Sequence, residues 1–500
     1  MTAVVAGREA SPGLHQHERP WPGRPALAVG WVAVATVVQL VRSPGVPTWR
    51  AVFGEDGGIF LTEALNRSGV GTLFAPYQGY LQLAPRVVGA VVGQFPLEAA
   101  AVLLAVFPAL VVAGLSLYVF IASREVLRQR RSRAVLAILL VALPVGYDIN
   151  ASATNLHWYL DFACGWVFLA RMQRRRQVAV GCLVAVTAAL SDPLVGLFLP
   201  LAGFRVMQAR RTPVGGSQRC RIRGLVAPGL FTLALLAQAA VVLVRQSPAP
   251  FVQIEKSELP QIYGLRVAGS FLVGAGSLPQ LVRMAGPAVA IVSLLVVGAV
   301  LAVATARSKG RRRTLLVGLV AYSLLWLLVP LLLRGTATLL DVGRLALPGS
   351  RYTVNPILLL TTAMLLAAEP RTQARGRFYW PQAALAVVLL AGVVTSYRLP
   401  AQRTRGPVWS AELNAARGRC AAAGGRPMAV GRSAESPWGL PAGPRDALVP
   451  VSPTARLPGW SVIVSCAEIL TKNNGQAGPA LSRDAGRPSE VDTKRGRSAR

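Results

Sequence analysis

Apolar residues fill this chain in runs of roughly 15 to 22 residues, without the regular polar interruption that a helix half exposed to water shows. Each run is near the ~20 residues that a helix needs to cross ~30 Å of hydrocarbon. The pattern predicts an all-α polytopic membrane protein with about eleven transmembrane helices, near 26–42, 98–121, 134–147, 156–170, 178–190, 192–206, 225–244, 285–306, 314–333, 353–368 and 379–396. Only Ser191-Asp192-Pro193 separates the fifth run from the sixth, so the two form either a tight hairpin or one broken helix. Residues 266–284 are apolar but cut by Gly and Pro, which predicts an interfacial or re-entrant element instead of a span.

The polar stretches between the runs fix an orientation. REVLRQRRSR (124–133), RMQRRR (171–176), the segment from Arg205 to Arg223, RSKGRRR (307–313) and RTQARGR (371–377) together hold 23 Lys and Arg. All five lie on one side if the chain starts in the cytoplasm, as the positive-inside rule requires. This gives a cytoplasmic tail (1–25), a membrane domain (26–396) with a long first outer loop (43–97), and an extracytoplasmic C-terminal segment, all at the plasma membrane. The first run has a long polar lead and no clean cleavage site, so it is expected to be an uncleaved span. A net charge of +32 would otherwise point to nucleic acid. Here the arginines sit in short loops, without zinc-finger spacing or a basic helix interleaved with aromatics. The charge is a matter of topology and attraction to membrane lipids, and no nucleic-acid partner is expected.

Past residue 397 the composition turns to Gly, Pro, Arg and Ala. Residues 397–472 are expected to form a small domain of mainly short strands, with Cys420 and Cys466 joined by a disulfide, since both lie where oxidation is permitted. Closing a loop of that length stabilises by about 4 kcal/mol on the chain-entropy model. Residues 473–500 read as a disordered basic tail.

Acids follow the opposite distribution. Glu55, Asp56, Glu63, Glu98, Asp148, Asp161, Asp192, Glu255, Glu258 and Asp341 fall in outer loops or outer halves of spans, whereas the basic loops hold only Glu125 and Glu369. Any chemistry is therefore expected on the outer face. The first outer loop carries two adjacent acids in FGEDGGIF (53–60). It then continues through an apolar stretch punctuated by Pro76, Tyr77, Tyr80 and Pro85, which predicts short interfacial helices lying on the membrane.

This layout of an acidic pair opening a long first outer loop, many spans and a small outer C-terminal domain resembles the GT-C superfamily of polyprenyl-phosphate-sugar-dependent glycosyltransferases. PYxGYLxLxPR (Pro76 to Arg86), RYxVxP (Arg351 to Pro356) and PGWSVIVSC (Pro458 to Cys466) resemble stretches of actinobacterial multi-span proteins of that kind. The resemblance implies an enzyme that moves a sugar from a polyprenyl-phosphate donor to a glycan or lipid acceptor of the cell envelope. It departs from the family in having no Asp-x-Asp, so a divalent metal is not indicated.

Sugar transfer needs a base near the acceptor hydroxyl. Asp56, with Glu55 beside it, is the expected base, and Gly57 and Gly58 would let the backbone turn and leave room for substrate. The simpler alternative is an Asp-Gly-Gly turn that only ends a helix. The leaving phosphate needs a guanidinium. Arg351 with Tyr352 and Arg344 are the expected ligands, with Arg86 and Arg334 behind them; arginines at span ends also snorkel to headgroups. In DINASATNLHWYLDF (148–162), Asn155, His157, Trp158, Tyr159 and Asp161 are expected at the mouth of a cavity, where aromatics such as Tyr77 and Trp158 stack on sugars. Asp192 either faces that cavity or caps the next helix. Two other classes remain open, a transporter or flippase of a lipid-linked glycan and a non-catalytic scaffold. The absence of an internal repeat favours the enzyme.

Overall fold

In the computed structural model, described for residues 25–42, 44–67, 69–145, 149–172, 174–211, 218–244, 256–334, 350–370, 380–399, 403–423, 446–451 and 460–471, helices form at the apolar runs. The first, α1 (Pro25–Leu40), lies along α4 (Ala100–Ala122). Between them the first loop carries α2 (Thr62–Asn66) and α3 (Leu83–Val92). The bundle continues through α5 (Arg130–Val141), α6 (Leu156–Leu169), α7 (Arg175–Ala189), α8 (Leu199–Arg210) and α9 (Gln218–Val244). Next come α10 (Leu259–Tyr263), α11 (Ser270–Val273), α12 (Leu278–Ala285), α13 (Ala288–Arg307), α14 (Gly310–Arg334), α15 (Val354–Ala368) and α16 (Trp380–Ser396). Large apolar side chains stay exposed along α9, α13, α14 and α16, as on a surface meant for lipid.

Among the described residues the expected count of eleven crossings is not reached. There, five helical stretches are long and apolar enough to cross alone: Leu97–Glu125, Ile222–Val244, Ala288–Arg307, Gly310–Leu333 and Arg351–Ala368. A sixth crossing requires Leu259–Val273 and Leu278–Ala285 to count as one, and these are bent by 119°. That bend falls in the Gly- and Pro-broken stretch for which an interfacial or re-entrant element was expected. Others fall short on length: the 12 residues of α5 rise only about 18 Å. Apolar composition alone cannot distinguish such a helix from a full crossing, because a helix buried inside protein is just as apolar.

The first loop forms short helices as expected, and it is engaged by the bundle more deeply than a purely interfacial element: one face of α3 packs inward while Val87 and Val91 stay exposed. Ala84, Val88 and Val92 of α3 are buried, and α3 contacts α4, α6 and α7. Its backbone is tied down by polar groups from the helices. The Gln238 side chain of α9 donates to the Leu81 carbonyl (3.2 Å) and accepts from the Leu81 N–H (2.9 Å), while Ala84 N–H donates to the Ser191 hydroxyl (3.0 Å).

The C-terminal unit consists of α17 (Trp409–Ala423), strands β1 (Asp446–Pro450) and β2 (Ser461–Ser465), and α18 (Cys466–Thr471). The strands pair antiparallel, with Leu448 opposite Ile463. Among the described residues helix therefore outweighs strand here, against the expectation of mainly short strands. The sequence WSAELNAARGRCAAA is rich in the strong helix former Ala, a propensity the Gly- and Pro-rich surroundings conceal. Cys420 and Cys466 form a disulfide, Cα atoms 5.4 Å apart, which joins α17 to the start of α18.

Candidate functional site

Glu55 and Asp56 sit at the start of a helix, not in a turn, and successive residues on a helix point about 100° apart. Their fates consequently diverge. Asp56 is fully buried. Its Oδ2 accepts the Ala153 N–H (2.9 Å), and its Oδ1 accepts the Thr154 N–H (2.7 Å) and hydroxyl (2.5 Å). Burial pushes the Asp56 carboxyl above the usual carboxylate range, against the pull of the Arg403 charge and the Thr154 and Ala153 donors. Arg403, itself buried and held down to about 10 mainly by that burial, donates to the carbonyls of Ala51 and Ala151. Ala151 adopts a left-handed φ of 49°, strained for a residue with a side chain. Asp56 thus organises the loop that leads into α6.

Asp56 is not part of the adjoining cavity of about 390 Å³, whereas Glu55 lines it. From Asp56 to Leu61 the helix widens to π geometry, a form often found at functional sites. Gly57 and Gly58 serve a purpose other than the substrate space and turn expected of them. A Cβ on Gly57 would lie 2.6 Å from Val52 and 3.0 Å from Val462, and one on Gly58 would lie 3.0 Å from the Trp460 ring. The glycine pair is the seat of β2. Asn66 donates to the Ile463 carbonyl (2.7 Å), and Ile463 N–H donates to the Thr62 hydroxyl (3.1 Å), completing that contact.

The remaining walls come from six parts of the chain. Tyr77 and Tyr80 flank a tight turn, exchanging backbone hydrogen bonds across Gln78 and Gly79, which have φ of 57° and 84°. Left-handed φ at both central residues is the hallmark of the turn that closes a narrow hairpin. The Tyr77 hydroxyl donates to Glu55 Oε1 (3.4 Å); burial and the Glu55 charge push the phenol pKa up, so it stays a donor. From α6, the Nδ1–H of His157 donates to the Thr154 carbonyl (2.8 Å), which turns Nε2 toward Asp192 Oδ2 at 3.6 Å. Asp192 fills both of its expected roles, because its other oxygen accepts the Leu194 N–H (2.8 Å) at the start of the 3-10 turn Pro193–Phe198. Trp158 packs edge-on against Tyr352 at 5.5 Å, and the Arg351 guanidinium lies 5.4 Å from the Tyr352 ring centre. Trp460, the residue before β2, also lines the cavity.

The cavity therefore brings together Glu55, Tyr77, Asn155, His157, Trp158, Asp192, Arg351 and Tyr352 among the expected residues. Arg86 lies elsewhere. It is buried in an ion pair with Glu63 (2.6 Å), with its guanidinium over the Phe60 ring, and so braces α3 against α2. Tyr159 and Asp161 are buried within α6. Arg344 and the Arg334 side chain lie outside the described residues. Trp460 was legible only as part of PGWSVIVSC, and Arg403 and Gln238 carried no sequence signal beyond a polar residue in an unexpected place.

The sequence matches no protein-family model and no curated protein. Among solved structures, one of the Archaeoglobus fulgidus oligosaccharyltransferase in complex with Zn and sulfate aligns at a TM-score of 0.38 and 12% identity, over 77% of this chain and 55% of that one. The archaeal oligosaccharyltransferase AglB from the same organism, in complex with an inhibitory peptide and a dolichol-phosphate, aligns at 0.37 and 12%, over 79% and 58%. The present chain spans little more than half the length of those proteins.

Proposed function

We propose that this protein is an integral-membrane glycosyltransferase of the plasma membrane that takes a sugar from a polyprenyl-phosphate donor and passes it to a cell-envelope acceptor on the outer face. One observation carries the reading: a single cavity beside apolar helices holds a carboxylate, a His–carboxylate pair, a guanidinium and several aromatic rings. Glu55 takes the general-base role in place of Asp56, with the Tyr77 hydroxyl orienting its carboxylate. As the acceptor oxygen attacks the anomeric carbon, its proton passes to Glu55. The bond to the phosphate oxygen breaks with its electron pair leaving on the phosphate, toward Arg351. Trp158, Tyr352 and Trp460 offer faces for the sugar. A single displacement of this kind inverts the anomeric centre.

Membranes expressing the wild type or Glu55→Gln at matched levels, given radiolabelled polyprenyl-phosphate sugars, test this directly. The base role predicts consumption that falls by about 10²- to 10⁴-fold in the variant. Equal turnover by both would move the base to Asp192 and His157. No turnover by either would favour movement of a lipid-linked glycan, a reading to which the bent Leu259–Ala285 element gives some structural support.

A further inference from the structure

A second cavity, of about 300 Å³, lies at the opposite end of α6 from the proposed site, and the 14 residues of that helix set the two about 21 Å apart. It opens between α4 and the α6–α7 connection. Gly114, Leu117 and Tyr118 of α4 and Val180 of α7 give it apolar walls, whereas its rim carries Arg124, Arg171 and Arg176, all exposed. Arg205, in the middle of α8, stands near enough to Arg171 for the two charges to interact. The acid facing this group is Glu125, whose carboxylate is 3.9 Å from Arg124 and which also interacts with Arg205. Four guanidinium groups against one carboxylate leave a strong positive excess at the mouth of a greasy slot.

One detail specifies how deep a guest reaches. Gly114 lies ten residues before Arg124, about 15 Å along the helix axis, and a Cβ there would meet nothing within 4 Å, so the slot runs on from its charged rim as an open apolar channel.

We propose that this slot holds one anionic glycerophospholipid, its phosphate gripped by Arg124, Arg171 and Arg176 and an acyl chain lying over Gly114 and Val180. Free phosphate would leave the apolar part empty. A zwitterionic lipid would bring its own cation to a cationic rim.

Native mass spectrometry of the full chain in detergent, titrated with phosphatidylglycerol, phosphatidylcholine of the same acyl chains, or glycerol 3-phosphate, tests the site. The wild type should retain one phosphatidylglycerol with about tenfold preference over phosphatidylcholine and should not retain glycerol 3-phosphate. The triple variant Arg124→Gln, Arg171→Gln, Arg176→Gln, altered only at exposed positions, should lose the preference. Gly114→Leu, which fills open space, should lose the retained lipid while keeping the wild-type melting temperature. The double variant Arg311→Gln, Arg313→Gln, on a different basic loop, should behave as wild type. The site is overturned if the wild type shows no preference, if the Arg311/Arg313 variant loses as much as the triple one, or if glycerol 3-phosphate displaces the lipid.

Discussion

Replacing Asp56 by Ala separates a structural carboxylate from a catalytic one. The change removes the acceptor for two backbone N–H groups and the hydroxyls of Thr154 and Ser152 in a site closed to water. Each buried donor left unsatisfied costs roughly 1–3 kcal/mol. Arg403 loses its counter-charge as well, and stranding a buried charge costs about 3–5 kcal/mol where no water follows it in. These terms overlap, since the smaller side chain leaves room for a water, so a net loss of about 4 kcal/mol is expected for Asp56→Ala. Asp56→Asn keeps the shape but sets an amide N–H against either the Ala153 or the Thr154 N–H, for about 2 kcal/mol. Glu55→Gln, at the cavity wall, should cost under about 1 kcal/mol. Thermal unfolding of the detergent-solubilised protein, followed by size-exclusion of the folded fraction, ranks the three variants, and donor turnover is measured on the same samples. The expected pattern is a large stability loss with Asp56→Ala and an activity loss without a stability loss with Glu55→Gln. A fully stable Asp56→Ala protein with abolished turnover would refute the reasoning and return the base to Asp56.

Further outcomes follow from the same geometry. Gly57→Ala pushes a methyl group against Val52 and Val462 and should destabilise by about 1–3 kcal/mol, lifting β2 and raising Trp460 fluorescence accessibility to quenchers. Cys420→Ser opens a loop of 46 residues and should cost about 4 kcal/mol on the chain-entropy model, read as earlier proteolysis between α17 and β2. Because Asp56 titrates above its ordinary range in the folded protein, its stabilising contribution is fully present in acid and is lost as the pH rises through its folded value. The stability advantage of wild type over Asp56→Asn should therefore shrink as the pH rises, and an advantage that grows with pH would reverse the sign of the shift.

The long apolar runs were legible because lipid demands an apolar exterior as well as an apolar packing face, so α4, α13 and α14 are apolar all round and their positions follow from composition. The short helices were not, since α5 and α6 are apolar through burial in protein, and a chain cannot signal which of the two environments it meets. The same ambiguity hid the first loop. Pro76, Tyr77 and Tyr80 suit a headgroup layer and suit equally a protein groove, and what decides for the groove is Gln238, a single amide within the apolar run of α9 that takes both hydrogen bonds of Leu81.

The adjacent acids show where residue-level reading stops. Glu55-Asp56-Gly57-Gly58 announces polar chemistry next to a flexible backbone, but which acid meets the cavity depends on the phase of a helix, and that phase is set by parts of the chain distant in sequence. Ala153 and Thr154 draw Asp56 inward, and β2 leaves no room for a side chain at Gly57 or Gly58. With one face of the helix committed to the loop before α6 and another to the C-terminal strand, Glu55 is left on the face that meets the cavity, where the Tyr77 hydroxyl donates to it. The cavity wall thus depends on the C-terminal unit being docked. A chain cut before that unit would lose Trp460 from the cavity and uncover the glycine seat, even though every span remained.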